Sequence, residues 1–167
     1  ISNTETTGSL HDRLALLTAS CLCDVIDAAP KSLESPVPQS EDGVIYAAKI
    51  TSEDAMIDWT RSAAFLDYHI RAFSPNPGAW CNGPKGRLRI LRARPISLVE
   101  TTLNIRTNPI AGRFLYRHDD GAMIIGCGDD ALAVDRLQPA GKSEMAASDF
   151  LNGAGLVIGE LLDSNNR

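Results

Sequence analysis

Apolar residues at Leu10, Leu14, Leu17, Cys21 and Val25 recur every three or four positions, the spacing of one face of an α-helix. Thr7-Gly8-Ser9 offers caps in front of this stretch, and Pro30 ends it at or before that residue. Over residues 30–43 (PKSLESPVPQSEDG) the period vanishes and Pro, Ser and acids dominate, the composition of a semi-extended linker. Val44-Ile45-Tyr46 reads as a short extended piece leading to Ala48-Lys49-Ile50. Helical signals then return. Thr51 or Ser52 can cap a short turn, with Glu53 and Asp54 well placed against the helix dipole. Thr60 can cap a longer helix to about Phe73, with Ala63, Leu66, Ile70 and Phe73 inward and Arg71 outward. Ser74-Pro75-Asn76-Pro77-Gly78 stops it.

From residue 79 the period changes from helix to strand. Ala79–Asn82 and Arg87–Arg94 flank Gly83-Pro84-Lys85-Gly86, which predicts a hairpin. The second strand alternates from Arg87 to Ile90, breaks phase at Leu91 and resumes with Arg92, Ala93 and Arg94. Such a break predicts a bulge or a barrel corner. Gly112–Arg117, Ala122–Cys127 and Ala131–Leu137 read as further strands, turned by His118-Asp119-Asp120-Gly121 and Gly128-Asp129-Asp130. A last helix is expected over about Ala146–Asn152, closed by Gly153. Leu156, Val157, Ile158, Leu161 and Leu162 then form an apolar tail able to add a short element or pack on the sheet. The expected fold class is α+β, mainly β: a small open antiparallel barrel or sandwich with flanking helices.

The 167 residues suffice for one domain with a real core, and 44% hydrophobic residues rule out wholesale disorder. No apolar run approaches the roughly 18 residues of a membrane span. The first residue is Ile, followed by Ser2, Asn3 and Thr4, with neither an initiator Met nor a signal-peptide pattern, so a fragment or a processed product is expected. The net charge of −5 hides a segregation. Residues 1–60 carry 3 basic and 10 acidic side chains, residues 61–117 carry 10 and 2, and residues 118–167 carry 3 and 9. The acidic total argues against a polyanion partner, whereas the basic middle argues for one.

Catalytic and metal chemistry find little support. Cys21, Cys23, Cys81 and Cys127 lack CxxC spacing and a nearby His pair, so they read as reduced thiols of a cytosolic domain without a metal. His11 adjoins Asp12, but neighbouring helical residues diverge; His69 and His118 have no obvious catalytic partner. Asp129-Asp130 reads as a hairpin tip. No G-x-S-x-G, P-loop or Rossmann fingerprint occurs. The basic strand is the remaining candidate: four of the eight residues Arg87–Arg94 are arginine, preceded by Lys85. Guanidinium forks suit phosphate oxygens. The competing reading is an edge strand charged against aggregation, or arginines paired with the acidic flanks. With Trp59, Tyr68, Trp80 and Tyr116 dispersed, backbone contact on a folded RNA fits better than base stacking.

Several motifs carry a resemblance. Ile57-Asp58-Trp59, Ile70-Arg71-Ala72-Phe73 and Pro75-x-Pro77-Gly78-Ala79 resemble the opening of the C-terminal domain of methionyl-tRNA formyltransferases. Leu137-Gln138-Pro139-Ala140-Gly141-Lys142, Met145 and Asp149-Phe150-Leu151-x-Gly153 resemble its closing motif. Thr7-Gly8-Ser9-Leu10-His11-Asp12-x-Leu14 is similar to the last helical part of the catalytic domain, and Pro38-Gln39 with Tyr46-Ala47-x-Lys49-Ile50 to the interdomain connection. Asn76, where the family usually has Trp, and Ala111-Gly112, for a usual Pro-Gly, depart from the pattern.

The resemblance implies an enzyme that moves a formyl group from 10-formyltetrahydrofolate to the amino group of initiator Met-tRNA. It implies a Rossmann-like catalytic half whose Asn, His and Asp and whose Ser-Leu-Leu-Pro folate loop find no match here. This chain would then be inactive alone and hold no cofactor, its His11 belonging to the terminal helix motif. The implied division is 1–33, a helix closing the catalytic domain; 34–50, a linker; and 51–167, an OB-like barrel that holds tRNA. Lys49, Lys85, Arg87, Arg89, Arg92 and Arg94 are the expected phosphate contacts, with Arg117 and Lys142 added for charge and position. Asp58 and Arg71 fit an internal salt bridge or a cap equally well, and Trp59 and Phe73 fit the core. A cytoplasmic monomer without membrane contact is expected. The alternatives are a related sugar-nucleotide formyltransferase or formyl-folate hydrolase, and a non-catalytic protein-interaction domain.

Overall fold

Helix α1 (Thr7–Ala28) begins where Thr6 and Ser9 bond reciprocally: the Thr6 hydroxyl accepts from the Ser9 amide, and the Ser9 hydroxyl accepts from the Thr6 amide. The computed structural model describes residues 1–29, 37–98 and 111–162; residues 30–36 of the expected linker lie outside that set. None of α1 is buried: of its expected apolar stripe Leu10 is half-buried, while Leu14, Leu17, Cys21 and Val25 stay exposed among the described residues. Residues 37–50 form no regular element beyond one turn.

Helix α2 (Ala63–Phe73) is capped by Ser62, whose hydroxyl accepts from the Phe65 amide, and by Asp129, which accepts from the Ala63 amide at 2.8 Å. Thr60, the expected cap, instead bonds Asp58, whose carboxylate accepts both its hydroxyl and its amide. The inward face is the expected one, with Ala63, Leu66 and Ile70 buried and Phe73 packed beside them. Arg71 does not point outward. Its side chain is only 16% exposed, because it reaches between Asp67 and the backbone of Glu5.

Among the described residues six strands follow: β1 (Ala79–Gly83), β2 (Gly86–Ile96), β3 (Phe114–Arg117), β4 (Met123–Gly126), β5 (Ala131–Pro139) and β6 (Met145–Ala146). They form one open antiparallel sheet in the order β1-β2-β5-β4-β3, with β6 added to β5. The fold class is therefore α+β and mainly β. Helix α3 (Ala147–Ala154) closes at Gly155, in the left-handed conformation at φ 66°, two residues beyond the expected Gly153.

The phase break falls where the alternation places it. Ile90 pairs with Leu137 and Arg92 with Arg136, leaving Leu91 extra; Ala93 then pairs with Val134, leaving Asp135 extra on β5. Two offset bulges cancel in register but swap the parity of both strands, so Leu88, Ile90 and Ala93 all face one core. That core joins α2 to the sheet through Ile57, Trp59, Leu66, Ile70, Met123, Ile125, Leu132 and Leu137. A smaller cluster around Ile124, Ala131 and Ala133 lies apart from it.

Both sheet edges are covered. Residues 55–57 run along β1, the Ile57 amide donating to the Trp80 carbonyl at 2.8 Å and the Trp80 amide to the Ala55 carbonyl at 2.9 Å. The apolar tail covers β3, with the Phe114 amide donating to Glu160 and Leu162 fully buried. Strand β2 is thus interior, and its arginines are not the armour of an exposed edge.

Candidate nucleic-acid interface

The parity of β2 decides where its arginines go. With Leu88 and Ile90 inward, Arg87 and Arg89 project from the opposite face. Gly83 pairs with Gly86, so Pro84 and Lys85 form the hairpin tip. In that register Trp80 lies opposite Arg89 and diagonal to Arg87, whose guanidinium sits 3.8 Å from the indole centroid. The Arg87 guanidinium also donates to the Ser52 hydroxyl at 3.4 Å, and the Trp80 indole N–H to the Ser52 carbonyl at 2.6 Å. Arg89 donates to the Gln138 side-chain oxygen at 3.3 Å and packs its stem against Gly78, where an added Cβ would lie 3.1 Å away.

Arg87 and Arg89 line a groove of about 290 Å³ with Gln138, Pro139, Ala140 and Gly141, and Lys142 follows directly in the chain. Lys85 at the tip donates to the Gly153 carbonyl at 3.4 Å, near the end of α3. No carboxylate lies within ion-pair distance of Lys85, Arg87, Arg89 or Lys142 among the described residues. Arg87 is held by an indole face and a hydroxyl and Arg89 by a side-chain amide, so no neighbouring carboxylate of the described residues neutralises either guanidinium.

Past the bulge the balance reverses. Arg94 lies against Asp135 at 2.5 Å and against Asp120. Burial works against its charge, but the two carboxylates hold it more firmly protonated than an ordinary arginine. Asp120 is pulled down to about 2 by the Ala122 amide first, then by His118 and Arg94. Arg92 is 75% exposed and only loosely near Asp135, at 4.0 Å. Both line a second hollow of about 590 Å³ with Asn3, Thr4, Thr6, Arg71 and Asp67.

The other expected residues are scattered. Arg117, on the far edge strand, donates to the Asn152 side chain at 3.0 Å. Lys49 is exposed in the irregular segment before the sheet. Asp58 pairs with Arg61 at 3.7 Å and Arg71 with Asp67 at 3.1 Å, the internal ion-pair alternative. Asp129 and Asp130 serve the backbone, capping α2 and accepting from the Leu98 amide at 2.6 Å. Cys81 and Cys127 are buried, and burial pushes both thiols up to about 12. Sequence reasoning missed Trp80, Ser52 and Gln138 as supports; the hairpin register alone would have put Trp80 beside Arg87.

Residues 49–155 match the family described as formyl transferase, C-terminal domain. The chain belongs to that family. As a formyl transferase C-terminal domain it is similar to the methionyl-tRNA formyltransferase of Dechloromonas aromatica, 40% identical over 98% of this chain and 49% of that protein. The methionyl-tRNA formyltransferases of Parvibaculum lavamentivorans (40% over 96% of the chain) and Caulobacter vibrioides (38% over 97%) are similar in the same way. The chain spans about half the length of these relatives. Among solved structures, a HypX variant from Aquifex aeolicus shares the fold of this formyl transferase C-terminal domain at TM-score 0.68 and 16% identity, over 91% of this chain and 27% of that one.

Proposed function

We propose that this chain is the tRNA-holding, C-terminal part of a methionyl-tRNA formyltransferase. The whole enzyme would transfer the formyl group of 10-formyltetrahydrofolate to the amino group of initiator Met-tRNA in the cytoplasm, as a monomer. The observation that carries the RNA reading is the row Lys85, Arg87 and Arg89 along the β1–β2 hairpin, braced without carboxylates beside an open groove. The family and the relatives at about 40% identity support the methionyl-tRNA member over a sugar-nucleotide or folate-hydrolysing one.

The division is 1–33 for the end of the catalytic half, 34–50 for the linker and 51–167 for the RNA-holding domain. The exposed apolar residues of α1 support the first assignment, since a 22-residue helix with no buried side chain is incomplete by itself. An OB-like, curled sheet is supported by α3. Lys85 from the first hairpin and Arg117 from the far edge strand β3 reach its neighbouring residues Gly153 and Asn152.

Catalysis and the folate donor belong to the preceding half, so the residues here bind and orient. Lys85, Arg87, Arg89 and Lys142 would meet phosphates, with Arg92 and Lys49 extending the track. Arg94 and Arg117, already engaged by side chains, come last. The test is formyl transfer by the full-length protein. Charged initiator tRNA should be formylated and a sugar nucleotide should not, while residues 1–167 alone should be inert. Turnover on the sugar nucleotide, or by the short chain, would overturn the reading.

A further inference from the structure

The first turn of α1 meets the last turn of α2 through complementary backbone groups. A helix start has amides without intrahelical acceptors, and a helix end has carbonyls without donors. Here the Gly8 amide donates to the Ser74 carbonyl at 3.0 Å, and the Thr7 hydroxyl donates to the Ala72 carbonyl. From the other side, the Arg71 guanidinium donates to the Glu5 carbonyl at 3.0 Å while Asp67 holds it at 3.1 Å. The positive end of one helix dipole thus faces the negative end of the other.

The approach is close because residue 8 is glycine. A Cβ there would lie 2.5 Å from Pro75 Cδ, in a ring that cannot swing aside like a flexible side chain. Ser74 in turn is buried, and its hydroxyl donates to the carbonyl of Leu91, the extra residue of the β2 bulge. A continuous path therefore runs from Gly8 through Ser74 to the strand that carries Arg87 and Arg89.

We infer that this contact is the joint that sets the catalytic half against the RNA-holding sheet, with Gly8 as its positioning residue and Thr7 as its second tie. The inference rests on the proposed function, in which α1 closes the catalytic half. It concerns orientation only: neither residue touches RNA or the formyl donor.

Two measurements test it. In the 167-residue chain the Gly8 amide should exchange with solvent far more slowly than the exposed amides of residues 37–50. In the full-length protein, Gly8→Val should slow single-turnover formyl transfer to Met-tRNA about a hundredfold, the scale of an ångström's misplacement. Its affinities for tRNA and for the formyl donor, titrated separately, should stay within about twofold, which a merely unfolded variant could not manage. Thr7→Ser should keep the rate and Thr7→Val lower it. A freely exchanging Gly8 amide, or wild-type transfer by Gly8→Val, would overturn the joint while leaving the proposed function intact. Failure of the wild-type protein to formylate Met-tRNA would instead remove the functional reading, and the assignment with it, even with the Gly8 amide protected.

Discussion

Replacing Arg87 and Arg89 together by alanine gives the sharpest separation of charge from fold. Neither guanidinium is part of the core, and each leaves behind only partners that water can serve: the face of Trp80, the Ser52 hydroxyl and the Gln138 amide. Their loss should cost little stability, the stacking on Trp80 contributing about 0.5–1 kcal/mol. The effect on RNA is another matter. If Lys85, Arg87, Arg89 and Lys142 each neutralise one phosphate, the slope of log affinity against log salt is about −3 to −3.5. Between 50 and 200 mM salt the affinity then falls about 60- to 130-fold. The double variant keeps half of these contacts, so its slope drops to about −1.5 and the loss over the same range to about eightfold. Arg94→Ala is the matched comparison, since Asp135 and Asp120 already neutralise that charge; its slope should equal the wild-type value. Filter binding or fluorescence anisotropy of initiator tRNA across a salt series measures all three. Equal slopes for wild type and the double variant, or a slope halved by Arg94→Ala, would refute the assignment of the free cations.

Further outcomes follow from packing and protonation. Gly128→Ala would set a Cβ 2.0 Å from the Thr60 carbonyl oxygen, a backbone clash, and should lower stability by about 1–3 kcal/mol in thermal unfolding. Asp120 is held at about 2 against an ordinary 3.8, so its contribution is complete above pH 3.8 and is lost as the pH falls through about 2. Asp120→Asn should flatten that part of an acid-unfolding profile. Burial lowers the pKa of His69, packed between Phe65 and Phe73, so the unfolded chain takes up its proton first. Stability should therefore decline as the pH drops below 6.5, and His69→Gln should remove that decline. In the folded 167-residue chain a thiol reagent should react rapidly with Cys21 and Cys23 and reach Cys81 and Cys127 only on unfolding.

Where local pattern and tertiary environment agree, the chain is readable from its residues. The two-residue tip at Pro84-Lys85 fixes the hairpin register, and the lost alternation at Leu91 marks the bulge. What escaped depended on distant partners. Arg71 looks solvent-facing on a helical wheel, but the segment ending at Glu5 crosses over it, 66 positions away. Thr60 is a good cap by type, yet Asp129 from a far turn meets the first amide of α2. The four arginines of β2 look equivalent in sequence. Only the sheet order reveals that Asp135 and Asp120 take Arg94 and leave Arg87 and Arg89 open. The stripe of α1 is a plain helical signal whose partner is not among the described residues, so its period identifies the helix without saying what it packs against.

Side-chain guanidinium NMR of the 167-residue chain, titrated with initiator tRNA, addresses the central claim most directly. The Nε–Hε signals of Arg87 and Arg89 should shift or broaden at low tRNA ratios, while those of Arg94 and Arg136, each already paired to a carboxylate, stay in place. Perturbation confined to Arg94, Arg136 and the far edge at Arg117, with Arg87 and Arg89 unmoved, would contradict it.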